Sequence, residues 1–517
     1  MKNSLVILLI LLANFCQAQE KPKLVVAIVI DQMRYDYVYR FWNEFEDDGF
    51  KRLVNEGYFC RNTHFSYMPT YTGPGHASIF TGTTPSIHGI IGNNWYDKES
   101  AKSVYCAGDG TTTTVCDCQD HVDKESSYGK MSPRRMLSTT IGDELKLFNP
   151  DAKVYGISLK DRGAILPAGH AANGAFWMDN NGDWITSSYY MDMLPEWLTE
   201  HQKDKPASSY FRDKWKTTSF EYPLDSMLIN KGPGSIKSTP MGNEILTDLG
   251  LALMKNEKLG QNSNTDFISI SYSSTDYIGH QFGPHAPELV DTYIKMDKEI
   301  AKILNYIDTK IGKENTIVFL TADHGVVSVP NELIDRKIPA GYFVASRLKD
   351  ELNTYLSKIY GQEQWVLRYS NQQFFLDRAL IESKNIENEK IQQKCADFLI
   401  QKKAINNTFS AHQLHHNEYQ NSLHSLIQNG FNQKRSGDVI ISLEPGWIEW
   451  SSPTGTTHGS HYSYDTHVPL IFWGNKVESG LNDSHINIKD IAPTISTLLG
   501  ISFPNGCTGN PITNITE

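Results

Sequence analysis

Long apolar runs and blocks of basic charge are missing from most of the sequence. Beyond residue 18, no stretch approaches the ~20 apolar residues that a membrane-spanning helix needs. No run of five or more lysines and arginines occurs, and the formal net charge is −11. We therefore expect neither a membrane span nor a nucleic-acid-binding surface. The 517 residues are 39% hydrophobic, which excludes a disordered chain and predicts a large folded core.

The first 18 residues have the pattern of a secretory signal peptide. Lys2 supplies a positive start, residues 5–13 are apolar, and Cys16 and Ala18 place small side chains at −3 and −1 of a cleavage site after Ala18. This pattern predicts export to the periplasm or secretion. Acylation of Cys16 as a lipoprotein is the less favoured alternative, because the bulky Phe15 precedes it.

Cysteine usage is sparse, and no Cys-x-x-Cys pair occurs, which argues against a thiolate zinc site or a redox motif. Six cysteines remain after residue 18, and an oxidising compartment permits disulfides. Cys106 with Cys116 or Cys118 is the pairing to test first, since these three lie in one short stretch. Buried free thiols are the alternative.

Short, continuous apolar runs alternate with helical patterns along the chain. The runs at residues 24–30, 153–158, 267–272 and 316–321 are typical of strands buried on both faces, as in a parallel sheet. Amphipathic helices are predicted at residues 287–312 and 490–500. We expect an α/β fold with a doubly wound, mostly parallel central sheet, in which ligands bind beyond the carboxyl ends of the strands.

Two stretches fit this alternation poorly, and we expect them to be insertions that cap the site of one domain spanning residues 19–517. They are residues 164–235, where Asn181-Gly182 predicts a hairpin, and residues 331–437, where residues 365–376 are expected to form a strand.

Carboxylates and imidazoles follow several of the predicted strands. The six candidates are Asp31, Asp276, His280, Asp323, His324 and His458. Oxygen and nitrogen ligands of this kind suit Zn²⁺ or a similar divalent ion, and six exceed the needs of one tetrahedral ion, so two ions are predicted. Paired ions can hold the attacking and leaving oxygens of an in-line displacement. Taken singly, each aspartate is as well explained as a helix cap or a surface pair.

Thr72 is the candidate nucleophile. It precedes Gly-Pro-Gly-His-Ala-Ser, a sharp turn that enters a helix, so that backbone N–H groups point at the group attacked. Coordination to a cation favours the alkoxide of a hydroxyl that is otherwise a weak nucleophile. An ordinary helix cap is the alternative. Lys160, Arg162 and Asn93 are candidates for binding phosphoryl oxygens.

These motifs together resemble those of the alkaline phosphatase superfamily. They are Asp31, Thr72-Gly-Pro-Gly-His-Ala-Ser, His88-Gly-Ile-Ile-Gly-Asn93, Asp276-x-x-Gly-His280-x-x-Gly-Pro, Asp323-His324-Gly and His458-Gly. Their order is similar to that of the nucleotide pyrophosphatase/phosphodiesterase branch. Lys160 and Arg162, in Ser-Leu-Lys-Asp-Arg-Gly, look closer to the secreted, phosphate-irrepressible alkaline phosphatases with a threonine nucleophile.

The resemblance implies a division of the ligands between two Zn²⁺ ions. Asp276, His280 and His458 would hold the first zinc, and Asp31, Asp323, His324 and the Thr72 oxygen the second. His458 is preferred over His461 and His467 because His-Gly matches the family pattern. No magnesium is expected, because Lys160 would take its place, and the family favours a monomer. His76 is expected to be a packing residue.

The implied activity is hydrolysis of small-molecule phosphate monoesters through a covalent phosphothreonine. Two cations, Lys160 and Arg162, favour the dianionic phosphoryl group of a monoester and leave little room for the second substituent of a diester. The sequence therefore favours a monoesterase, and phosphodiesterase activity is the alternative. A sulfatase is not expected, because no cysteine lies in a Cys-x-Pro-x-Arg context. A non-catalytic, metal-binding exported protein is the alternative from another class.

Overall fold

The computed structural model describes residues 21–117 and 127–516. The strands that build and flank the site are β1 (Leu24–Ile30), β2 (Tyr58–His64), β3 (Val154–Ser158), β4 (Gly174–Met178), β5 (Trp184–Ser187), β6 (Asp266–Tyr272), β7 (Thr316–Thr321), β8 (Val366–Ser370), β9 (Gln373–Leu376), β10 (Ile405–Ser410), β11 (Val439–Leu443) and β12 (His467–Gly474). The main helices are α1 (Thr72–Thr81), α2 (Asp161–Ala168), α3 (Ser274–Phe282), α4 (Pro287–Lys310), α5 (Ala345–Tyr360), α6 (Asn388–Leu399) and α7 (Ile491–Leu499).

An 11-stranded central sheet carries the fold, and its middle strands run in the order β2-β12-β7-β1-β6-β3-β4-β5. The five from β7 to β4 are parallel, whereas β12 and β5 are antiparallel to their neighbours. This is the α/β architecture with a mostly parallel sheet that the sequence predicts. In register, Ile30 of β1 lies beside Tyr272 of β6, and Val29 lies beside Thr321 of β7. The carboxyl ends of these three strands therefore meet at one edge.

Burial on both faces of the sheet explains why the strand sequences are continuous apolar runs. Every residue of β1 is fully buried, because helices cover both faces of the sheet. On one of these helices, α4, the predicted stripe from Leu289 to Ile307 is buried in the same core. Burying such side chains contributes roughly 1.5–3 kcal/mol each, which makes the sheet a rigid base for the residues beyond its edge.

The region of residues 331–437 contributes β8, β9 and β10 to a second, smaller sheet of the order β8-β9-β11-β10, and β11 follows directly after this region. The sheet packs with α5 and α6 around its own hydrophobic core. The single strand expected at residues 365–376 is wrong. Asn371 and Gln372 have φ of 53° and 60°, so the chain reverses there and forms the antiparallel hairpin β8-β9.

The hairpin predicted at Asn181-Gly182 is present, and it joins β4 to β5. Both strands belong to the central sheet, so part of the predicted first insertion extends the sheet itself. Among the described residues, no helix is long and apolar enough to cross a membrane.

The cysteines correct one expectation. Cys106 is a buried free thiol that packs against Gly73, so it is not the partner of Cys116. Cys116 is disulfide-bonded. Cys118, like the predicted signal peptide with its cleavage site after Ala18, lies outside the described residues.

Candidate active site

The predicted ligands and Thr72 converge at the carboxyl edge of the central sheet. Asp31 directly follows β1, Asp323 and His324 follow β7, and α3, which carries Asp276 and His280, follows β6. Thr72 is the first residue of α1, and His458 lies in the loop before β12. Parallel strands in register bring these positions together although more than 400 residues separate the first from the last. Asp31, Asp323 and His324 are fully buried, and Thr72 is 1% exposed.

One cluster contains Asp31, Asp323 and His324, whose ligand atoms all lie within 4.8 Å of one another. His324 Nε2 is 3.5 Å from both Asp31 Oδ1 and Asp323 Oδ2. The Thr72 hydroxyl is 3.5 Å from the same nitrogen. Asp31 Oδ1 and Asp323 Oδ2 are buried and have no hydrogen-bond partner among the described residues. Buried, unpartnered carboxylate oxygens are costly unless a cation binds them, so this donor set fits a metal ion.

A second cluster surrounds Asp276. Its Oδ1 atom is 3.1 Å from His280 Nε2 and 3.8 Å from His458 Nε2. Asp276, His324 and His458 also lie within 4.8 Å of one another, and the His324 and His458 rings stack at 3.5 Å. His324 therefore lies between the two clusters. The family resemblance had assigned it to one of them.

All three histidines present the same nitrogen to the site. Their Nδ1 atoms lie 2.8, 3.0 and 2.7 Å from the carbonyl oxygens of Thr456, Gly325 and Thr70, in the order His280, His324 and His458. A carbonyl oxygen only accepts, so Nδ1–H donates and the Nε2 lone pair is left for a ligand. Such backbone contacts orient metal-binding imidazoles in known sites.

Lys160 lies between the two clusters. Its Nζ donates to Asp31 Oδ2 at 2.6 Å and to Asp276 Oδ2 at 2.5 Å. Burial alone lowers the pKa of Lys160, but the charges of Asp276 and Asp31 outweigh burial and raise it, so the side chain is an ammonium. Burial and the neighbouring Asp276 charge raise the pKa of Asp31. Burial and the charge of Asp31 raise the pKa of Asp323 well above its ordinary value. One ammonium thus leaves an excess of carboxylate charge, which attracts further cations.

Asn93 contacts the start of α1, and Arg162 lies close enough to Lys160 and His76 for its charge to affect both. Asn93 Oδ1 accepts the N–H of Gly73, directly after Thr72, at 2.7 Å. Arg162 Nη1 donates to the Tyr105 hydroxyl at 3.1 Å, while its buried Nε has no partner among the described residues. The charge of Arg162 opposes protonation of both Lys160 and His76, as expected for a cation beside the same site.

Two residues near the site, His76 and Gln32, make contacts that the sequence did not predict. His76 is fully buried, and it contacts the Thr72 carbonyl at 2.9 Å and the Ser271 hydroxyl at 2.7 Å. Gln32 was not predicted at all. Its backbone N–H donates to Asp323 Oδ1 at 3.1 Å and its amide to Asp276 Oδ1 at 2.5 Å. The only sequence signal for Gln32 is its position directly after Asp31.

Of the three histidines between residues 458 and 467, His458 is the one that contacts another predicted ligand among the described residues. His467 Nε2 lies 2.9 Å from the Arg61 carbonyl and its ring stacks on Tyr35, whereas the His461 ring packs on Tyr462.

Gly75 allows α1 to pack directly on the Asp323 backbone. A Cβ atom at position 75 would lie 2.2 Å from the Asp323 carbonyl oxygen. We therefore expect Gly75→Ala to reduce the free energy of unfolding by about 1–3 kcal/mol through overpacking. Urea unfolding measures this. Gly110→Ala is the control, because a Cβ there meets nothing within 4 Å, and it is expected to stay within about 0.5 kcal/mol of the parent. Equal stability of Gly75→Ala and the parent would contradict the packing argument.

The fold and the paired carboxylate–histidine clusters beside a hydroxyl define a hydrolase of the alkaline phosphatase superfamily. Residues 25–464 match the family model of type I phosphodiesterase / nucleotide pyrophosphatase, and the chain belongs to this family.

Full-length relatives narrow the comparison. The chain is 40% identical to alkaline phosphatase PhoV of Synechococcus elongatus, covering 97% of this chain and 94% of the relative. It is 38% identical to alkaline phosphatase PafA of Elizabethkingia meningoseptica, with 97% and 96% covered. A protein of Myroides odoratus named as a calcium-transporting ATPase is 40% identical, with 96% and 95% covered. A crystal structure of wild-type PafA superposes with a TM-score of 0.88 at 37% identity, covering 96% of this chain and 99% of that one.

Proposed function

We propose that this protein is an alkaline phosphatase that hydrolyses small-molecule phosphate monoesters, with Thr72 as nucleophile and zinc as cofactor. The observation that carries the proposal is the buried arrangement in which the Thr72 hydroxyl lies beside Asp31, Asp323 and His324, with the Lys160 ammonium bound to Asp31. The similarity to PafA and PhoV over nearly the full length supports the same activity.

The donor set supports two zinc ions. Asp276, His280 and His458 would hold one ion, and Asp31, Asp323, His324 and the Thr72 oxygen the other. Carboxylate and imidazole donors suit zinc, and the buried, unpartnered oxygens of Asp31 and Asp323 fit a cation. Zinc bound there supplies Lewis-acid chemistry, because it lowers the pKa of a bound hydroxyl and withdraws charge from phosphoryl oxygens.

The residues of the chain then perform the displacement in two steps. The Thr72 hydroxyl releases its proton to solvent and its oxygen attacks phosphorus. The bond between phosphorus and the leaving oxygen breaks on the side of Asp276, His280 and His458, and the leaving oxygen takes up a proton from solvent. The product is a phosphothreonine and the released alcohol. Water then loses a proton and attacks phosphorus from that side, the bond to Thr72 Oγ1 breaks, Oγ1 takes up a proton again, and inorganic phosphate leaves. Asn93, Lys160 and Arg162 bind the non-bridging oxygens in both steps.

Lys160 gives the site its preference for monoesters, because a monoester carries one more negative charge than a diester. We expect kcat/KM to be higher for an aryl phosphate than for its methyl ester, and Lys160→Ala to lower the monoester value by about 100-fold while narrowing this preference. Lys153→Ala is the matched control, since Lys153 pairs with Glu257 at the other end of β3. Steady-state kinetics on both substrates test this. A parent enzyme that prefers the diester would support a phosphodiesterase instead.

Zinc is proposed here without magnesium, because the Lys160 ammonium already lies between Asp31 and Asp276. We also propose that the chain is exported after cleavage near Ala18, to the periplasm or the medium, and that it acts as a monomer. The N-terminal pattern supports export.

A further inference from the structure

A cavity of about 480 Å³ opens beside the candidate active site. It is lined on one side by Tyr71 and His458, and on the other by the hairpin residues Arg368 to Gln372 and by Trp447 to Glu449. Its volume lies within the roughly 300–1,000 Å³ typical of small-molecule sites. The smaller sheet therefore forms a wall of a space that the catalytic residues do not fill.

The hairpin that forms this wall is fixed to the catalytic loops at its tip. Gln372 donates through its side-chain amide to the Gly459 carbonyl, directly after His458, at 3.0 Å. Asn371 donates to the Asn94 carbonyl, directly after Asn93, at 2.5 Å. The two contacts hold strand β8, and with it Arg368, at a defined position relative to the residues that handle the phosphoryl group.

The cavity lies on the side where the leaving group must depart. In an in-line displacement, the leaving oxygen is opposite the nucleophile, here on the side of Asp276, His280 and His458. His458 lines the cavity, so the part of a substrate beyond the leaving oxygen enters this space.

The charged side chains that line the cavity differ in the number of hydrogen-bond and ion-pair partners that they have. Arg368 is the one lysine or arginine in the lining, its side chain is exposed, and it makes no ion pair or side-chain hydrogen bond within the described chain. Both carboxylates of the lining already have donors. The Tyr369 hydroxyl donates to Glu449 at 3.0 Å, and Asp465 accepts from the amides of Gly459 and Ser460 and from the Ser460 hydroxyl. Loss of hydration also raises the pKa of Glu449, and that of Asp465 to about 7. The three donors of Asp465 all reach Oδ2, and its buried Oδ1 has no hydrogen-bond partner among the described residues. The Arg368 guanidinium has no partner in the described chain either, so it is available to pair with an anionic group such as a phosphate.

We propose that this cavity is a leaving-group subsite in which Arg368 recognises a second anionic group on the substrate. The substrates favoured are phosphate monoesters whose leaving group is polar and carries another phosphate, such as a sugar bisphosphate or a nucleoside 3′,5′-bisphosphate. The proposal rests on the proposed phosphatase function, and it adds a preference among monoesters. Arg368 contacts the distal group and not the reacting phosphorus, so it is a specificity-determining residue.

The test compares substrates with and without the distal anion on the full-length enzyme. The probes are fructose 1,6-bisphosphate, fructose 6-phosphate and an aryl phosphate with a neutral leaving group. Arg368→Ala is expected to lower kcat/KM for the bisphosphate by about 10- to 100-fold, mainly through KM, and to leave both other substrates within about twofold. Arg368→Lys keeps the charge and is expected to recover part of the loss. Arg347→Ala, on α5 of the same region but outside this cavity, removes the same charge as a matched control and is expected to change none of the three values.

The outcomes separate the two proposals. An equal loss on all three substrates, or no loss on the bisphosphate, overturns the subsite while the phosphatase function stands. A parent enzyme that turns over none of the three monoesters contradicts the proposed function itself. Replacing the sugar bisphosphate by a nucleoside 3′,5′-bisphosphate, with the nucleoside 5′-monophosphate as reference, shows which source of the second phosphate is preferred.

Discussion

Thr72→Ala is expected to lower kcat/KM for an aryl phosphate by at least about 1,000-fold, because it removes the oxygen that we propose attacks phosphorus. The Thr72 hydroxyl lies 3.5 Å from His324 Nε2, and Thr72, which is 1% exposed, is the first residue of α1. The alanine side chain fits the same space, so the fold is expected to survive. Melting temperature and metal content, measured beside the kinetics, check that only the nucleophile is lost.

Thr72→Ser is the matched control. It keeps a hydroxyl on the same carbon and is expected to retain most of the activity. Acid quenching during turnover, followed by peptide mass spectrometry, is expected to find a phosphoryl group on the peptide containing residue 72 in the parent and in Thr72→Ser, and none in Thr72→Ala. Full turnover by Thr72→Ala would contradict the assignment of Thr72 as the nucleophile.

Removal of metal is expected to abolish activity and to lower the melting temperature. Asp31, Asp276 and Asp323 are buried together, and Lys160 is the one ammonium bound to them among the described residues. Without bound cations the carboxylate charges repel one another in a site with little water, so the folded state loses stability. Dialysis against a strong chelator followed by Zn²⁺ is expected to restore both the rate and the melting temperature.

A pair of variants sharpens the metal prediction. Asp323→Asn removes a candidate ligand and is expected to bind one zinc ion fewer per chain. Asp297→Asn is the control, because this buried carboxylate accepts from the Glu46 and Phe50 amides, away from the site. It is expected to keep the full zinc content. A rate unchanged by chelator would mean that the two-metal scheme is wrong.

The positions of the strand ends could be predicted from the sequence, because burial on both faces excludes charged residues from each strand. Asp31 and Asp323 stand directly after continuous apolar runs, and a strand buried on both faces has to end where a charge begins. Once four such strands are placed in one parallel sheet, their ends meet, so the convergence of aspartates and histidines follows from the topology.

Features that depend on side-chain packing were not predictable in the same way. The reversal at Asn371 and Gln372 interrupts a run of strand-forming residues and carries no glycine to mark it. Cys106 is near Cys116 in sequence, but it packs on Gly73 beside the nucleophile. Gln32 has φ of 68°, which directs its amide to Asp276, and only the neighbouring elements make that contact visible.

Anomalous diffraction at the zinc edge, from crystals of the enzyme as purified, tests the central claim most directly. Two peaks are expected, one within bonding distance of Asp276, His280 and His458, and one within bonding distance of Asp31, Asp323, His324 and Thr72 Oγ1. A single peak, or none near Thr72 in crystals of active enzyme, would contradict the account.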